Sequence, residues 1–322
     1  MTSRERFLRV LNFDLSVDRL PMVEWAAWWD LTTDRWKTEG LPELEFIQSQ
    51  RYFGLDPMVL LSAGANTDRL PWPDYHGGPI IRPNRTYDDL KQFLYTDALI
   101  KKAVHRAKTL KPLHDSGGII IRCNIEGFFW FPRILLGIEP HMFSFYDQPD
   151  LMHRINTDLA NFNIRIMDAV CAVLKPDFVA FTEDMSYNHG PMISKALFDE
   201  FLLPYYRKVI PEIKKHGVKV LIDSDGDITT MVPWMNQAGI EGVYPLERQA
   251  GVDLRRIRAD YPQFLMLGGY DKMVMPLGEQ AMRAEFERLL PVMRTGGFIP
   301  SVDHQTPPGV SLENYRIYIR LF

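Results

Sequence analysis

What most constrains this chain is a steady alternation of short, unbroken apolar runs with longer stretches of helical periodicity. Helical patterns occupy residues 87–94, 98–116, 149–174, 194–216, 229–238, 253–261 and 278–295, and apolar runs lie between or after them at 118–123, 178–181, 218–222, 242–244, 265–268 and 298–300. Runs this short and continuous suit strands buried on both faces, as in a parallel sheet, rather than half-exposed antiparallel strands. Two earlier runs, 22–25 and 56–61, bring the count to eight. The expected fold is therefore α/β, an eight-stranded parallel (β/α)8 barrel of the TIM type. Thr2 and Glu5 have capping-box spacing and open an N-terminal helical extension, while 70–85, rich in Pro, Gly, Asp and Asn, reads as a surface excursion. Residues 315–322 read as a closing helix, and one barrel domain is expected to span 1–322.

Several partner classes lose support. Lys and Arg number 37 against 41 Asp and Glu, a net charge of −4 that offers no basic field for nucleic acid. Neither a Gly-x-Gly-x-x-Gly turn nor a phosphate-binding Gly-x-x-x-x-Gly-Lys motif occurs, so no nucleotide cofactor is expected. Cys123 and Cys171, the only cysteines, have no paired spacing and read as small buried thiols. The first residues lack a secretory apolar core and no window approaches a membrane span, so a cytoplasmic protein without membrane contact is expected.

A barrel of this kind places its chemistry at the C-terminal strand ends, and here carboxylates dominate those positions. Asp223 and Asp225 lie two apart in Asp223-Ser224-Asp225-Gly226-Asp227, so a continuing strand would aim both at one ligand or cation. Asp227 suits a cap for the helix that follows. Glu183 and Asp184 are adjacent, so one of them faces the mouth, and Glu183 is the catalytic and metal-binding candidate. His304 follows the last run beside Asp303, where it could move a proton or bind a metal. Trp25, Trp28 and Trp29, with the aromatic string 128–131, would wall a pocket for a flat substrate. Asn124, Glu126, Tyr187, Glu247, Tyr270 and Asp271 are its candidate polar contacts, and His189 lies in a turn-like string near the same opening.

The opening Arg4-Glu5-Arg6-Phe7, Asp18-Arg19-Leu20-Pro21, Glu183-Asp184-Met185, Asp223-Ser224-Asp225-Gly226, Tyr244-Pro245-Leu246-Glu247, Gly268-Gly269-Tyr270-Asp271-Lys272 and Pro300-Ser301-Val302-Asp303-His304 together resemble the uroporphyrinogen decarboxylase superfamily. That resemblance implies an α/β barrel and two functional branches, the haem-pathway decarboxylases and the cobalamin-linked methyltransferases. The decarboxylase branch carries an Arg-Gln-Ala-Gly-Arg-Tyr string that binds tetrapyrrole carboxylates, and here the text is Trp25-Ala26-Ala27-Trp28-Trp29-Asp30. A true uroporphyrinogen decarboxylase is therefore not expected, since a polycarboxylate would find no cationic clamp.

The methyltransferase branch holds zinc through His-x-Cys and a later Cys, which Asp223-Ser224-Asp225 and a cysteine-free C-terminus cannot reproduce. Oxygen-rich binding of zinc or another divalent metal by Glu183, Asp225 and His304 stays open. The expectation is a corrinoid-dependent methyltransferase, acting on a small methoxylated aromatic compound with a corrinoid protein as partner. Decarboxylation of a small aromatic or tetrapyrrole-like acid and a non-catalytic ligand-binding barrel are the alternatives, and the resemblance also implies a homodimer.

Overall fold

The computed structural model describes residues 1–65 and 69–322. Nine strands occur in it: β1 (Met58–Ser62), β2 (Ile120–Glu126), β3 (Phe178–Thr182), β4 (Ser186–Tyr187), β5 (Gly190–Pro191), β6 (Lys219–Asp223), β7 (Gly242–Tyr244), β8 (Leu265–Tyr270) and β9 (Phe298–Val302). Seven form one parallel sheet in the order β1-β2-β3-β6-β7-β8-β9, and β4 with β5 makes a small antiparallel hairpin. Alternation along each strand sorts side chains into two cores. Met58, Ile120, Phe178, Ala180, Leu221, Leu267 and Ile299 fill the inside of the curled sheet, whereas Val59, Ile121, Val179, Val220 and Met266 pack outward against helices.

The expected eighth strand, 22–25, does not join the ladder, and seven strands replace the eight anticipated. The segment is pinned instead by side-chain and edge contacts. Met22 accepts from Asp56 N–H at 2.7 Å and donates to the Asp56 carboxylate at 2.9 Å, next to β1. On the β9 side Ser301 Oγ donates to Val23 C=O at 2.7 Å, and Trp25 Nε1 donates to Val302 C=O at 2.9 Å. Pro21, which has no N–H, cannot extend a ladder upstream.

The opening helix, Ser3–Leu11, plugs the N-terminal end of the sheet. Phe7 stacks on Phe178 at 5.9 Å, Arg4 N–H donates to Gly117, and Gly297 N–H donates to Val10. That leaves the C-terminal strand ends as the open mouth. The helix expected over 194–216 is two, Lys195–Phe201 and Leu203–Lys215, because Pro204 starts a new first turn. Among the described residues no helix is long and apolar enough to cross a membrane.

Candidate functional site

Three loops bring a carboxylate, a second carboxylate and an imidazole together at the mouth. The β6 strand ends at Asp223, level with Thr182 and Tyr244 on its neighbours, and Ser224 N–H then bonds Tyr244 C=O at 3.0 Å. At Gly226 φ is +82°, and a Cβ there would sit 2.6 Å from the Tyr187 backbone, so only glycine permits the turn that follows Asp225. Gly226 N–H in turn donates to Glu247 Oε2 at 2.8 Å, which fixes Glu247 in the loop after β7. Buried Asp303 accepts from Arg248 N–H at 2.9 Å and Lys272 N–H at 3.2 Å, tying the loops after β7 and β8 to the end of β9.

His304 is held there, with Nε2 3.7 Å from Asp225 Oδ2 and its ring edge-on to Trp25 at 5.9 Å. Donor atoms of Asp225, Glu247 and His304 all lie within 4.8 Å of one another. Crowded negative charge shapes the protonation of this group. Burial pushes Asp225 up to about 8, reinforced by Asp184, Glu247 and Asp223 and opposed by Lys272. His304 is shifted down, first by burial and then by the Lys272 ammonium, against the pull of Glu247 and Asp184.

Two carboxylate oxygens and an imidazole nitrogen are a donor set that could hold a divalent cation. Glu183, expected among its ligands, is not part of the group. Its buried carboxylate accepts N–H bonds from Phe128 (2.6 Å), Phe129 (2.7 Å) and Trp130 (3.0 Å), and the Tyr206 hydroxyl, so it caps the helix Trp130–Leu136. Gly127 leaves room for it, since a Cβ there would lie 2.1 Å from Glu183 Cδ. Asp184, at φ +43°, is the neighbour that turns to the mouth and takes Asp225 N–H at 3.4 Å.

The other expected contacts divide. Asp223 stays inside the sheet near Arg122 and Tyr244 and is pushed up to about 7 by burial, so it neighbours Asp225 without sharing its ligand atoms. Asn124 donates to Thr182 Oγ1 and lies 3.4 Å from the Tyr244 hydroxyl, and Trp25 packs on Tyr244 at 5.3 Å. Glu126 lines a cavity of about 620 Å³ beside Ser62 and Gly64. Tyr270 was expected to meet substrate but is fully buried against Phe286 and Tyr318. Asp271 caps the turn at Met273 and holds Gln249. Exposed Tyr187 and His189 contact each other in the β4–β5 hairpin, outside the group of three.

Of the aromatic string only Trp130 walls a cavity, about 420 Å³ in volume, with Trp72 and Tyr75; Phe128, Phe129 and Phe131 are core. Trp28 packs on Trp36 and Phe53, and Trp29 is exposed. One buried charge, the partner of Asp223, escaped the sequence reading. Arg122 sits mid-strand in β2, and the only signal for it is a charge inside an apolar parallel strand.

The sequence profile of the uroporphyrinogen decarboxylase (URO-D) family matches residues 128–321, well over half of the chain. The chain belongs to the uroporphyrinogen decarboxylase family. The matched stretch holds Asp184, Asp225, Glu247 and His304, and leaves out Trp25 and Arg122. A solved methyltransferase from Methanosarcina mazei shares this family member's fold with a TM-score of 0.70 and 15% identity, covering 100% of this chain and 98% of that one. None of the curated proteins matches the chain.

Proposed function

We propose that the protein transfers a methyl group from a small methoxylated, aromatic compound to a corrinoid carried by a partner protein. The observation that carries this reading is the convergence of Asp225, Glu247 and His304 at the mouth, with donor atoms inside 4.8 Å. An ether oxygen is a poor leaving group, so breaking its bond to methyl needs positive charge at that oxygen. A reduced corrinoid supplies the nucleophile that takes the methyl group.

As the methyl–oxygen bond breaks, its electron pair stays on oxygen and the Asp225 carboxyl, held protonated by its surroundings, gives that oxygen its proton. An N–H of the His304 imidazole donates to the same oxygen, Glu247 holds the Gly226 turn behind Asp225, and Trp25 offers a face on which an aromatic ring can lie. A divalent cation held by Asp225, Glu247 and His304 would supply Lewis-acid polarisation of the oxygen instead of a proton. Fold similarity to the archaeal methyltransferase supports the reaction class, and the absence of the arginine string at 25–30 speaks against a polycarboxylate substrate.

The test is product analysis. Methoxybenzenes and methoxybenzoates are incubated with the protein and a reduced corrinoid, and both the hydroxyarene and the methylated corrinoid are measured. Equal amounts of the two are expected. Carbon dioxide released from the acids without any corrinoid would replace this reading with decarboxylation.

A further inference from the structure

The stretch 70–85 leaves the barrel after β1, and the fold holds it firmly rather than leaving it loose. Ile80 and Ile81 N–H both donate to Leu135 C=O, at 2.9 and 2.8 Å, and Ile138 N–H donates to Gly77 C=O at 3.0 Å. The loop is thereby fixed on the helix Trp130–Leu136 and on the start of the next helix, Ile138–Asp147. Between loop and helices lies the cavity of about 420 Å³, walled by Trp72, Tyr75, Trp130, Ile134 and Ile138. Trp72, Tyr75 and Ile138 are 47%, 64% and 41% exposed. A single exposed apolar side chain needs no explanation, but several gathered around one opening mark a place where a ligand covers them.

One permanent cation faces this cavity. Arg133 is half-buried and forms part of the wall, with its guanidinium 5.0 Å from the centre of the Trp130 ring. Nη1 donates to Asp184 C=O at 3.4 Å, which anchors the fork on one side. The Asp184 carboxyl feels the positive charge, but among the described residues no carboxylate is in ion-pair contact with Arg133. Stacking on an indole holds the guanidinium plane still and leaves N–H groups for a second partner. Asp74 is the one acid in the wall, and it is exposed to solvent.

From this geometry we infer that the cavity is a binding site for an aromatic carboxylate, with its ring among Trp72, Tyr75 and Trp130 and its carboxylate on Arg133. The aromatic walls match an arene, and the guanidinium fork matches a carboxylate in shape and charge. The volume, about 420 Å³, is in the ordinary range of small-molecule sites. None of Asp225, Glu247 and His304 lines the cavity, so this site lies outside the group of three and does not depend on methyl transfer.

Calorimetric titration of the full chain with 2-naphthoate and 2-naphthamide, which share a ring system and differ in charge, tests it without any turnover. The wild-type protein is expected to bind the acid at least about tenfold more tightly than the amide, the scale of a hydrogen bond to a charged group. In Arg133→Met that preference should vanish while amide binding persists. Trp72→Ala should weaken acid and amide alike by about fivefold, the scale of a lost ring contact. No binding of the acid, equal affinity of the wild type for acid and amide, an unchanged preference in a folded Arg133→Met, or unchanged affinity in Trp72→Ala would each overturn the site. The wild-type comparison and the exposed Trp72 position keep the test decisive even where Arg133→Met does not fold.

Discussion

Glu183 and Asp184 are consecutive carboxylates with opposite roles, separated by one backbone twist. Glu183 follows β3 into the core and answers three helix N–H groups and a tyrosine, while the positive φ of Asp184 turns it back to the mouth. Replacing Glu183 by Ala leaves those donors buried and unanswered, and should cost about 3 kcal/mol in urea unfolding. Asp184→Asn, which relieves crowding around Asp225, should unfold no earlier than wild type. The sequence showed that one of the pair would face the mouth, but which one depends on a dihedral angle that no residue pattern encodes. His304, Asp225 and Glu247 were legible because each directly follows a buried run. Arg122, the counter-charge of Asp223, was not, because it lies mid-strand inside an apolar run.

At the scale of elements, the runs read from the sequence became the seven parallel strands, with boundaries moved by a residue or a few. Their legibility follows from burial on both faces, which demands continuous apolar text. Helices such as Asp30–Thr38 escaped notice because two buried side chains, Thr32 and Trp36, are too few to set a period. The 22–25 segment is apolar like a strand, yet its place between β9 and β1 is fixed by Asp56, an anchor outside the run. Asp56 is 1% exposed and binds Arg6 and Arg19 as well as Met22 N–H. Asp56→Ala therefore leaves buried Arg6 with Asp18 alone, removes the acceptor of Arg19 and Met22 N–H, and frees the segment. A loss of about 3 kcal/mol or more is expected in urea unfolding, and wild-type stability would show that the segment is held otherwise.

Across the whole molecule, burial leaves several carboxyl groups with raised pKa values: Glu24 near 8 against its bond from Tyr315, and Glu126 and Glu183 near 7. Each binds its proton more tightly folded than unfolded, where the value is about 4.3. The unfolded chain then holds fewer protons between those limits, so stability present below about pH 4 is lost as pH rises toward 8. Calorimetry should show a Tm lower at pH 8.5 than at pH 5.5, with a shallower fall in Glu24→Gln; a Tm that rises over this range would contradict the assignment. In the proposed reaction the same excess of acid keeps positive charge, as a proton or a cation, next to the departing oxygen at the mouth. The decisive measurement is the single-turnover rate of demethylation by wild type and Asp225→Asn, with thermal unfolding as a check on integrity. A loss of about a hundredfold or more is expected, in a variant that unfolds no earlier than wild type. A folded Asp225→Asn protein that demethylates at the wild-type rate would place the chemistry somewhere else.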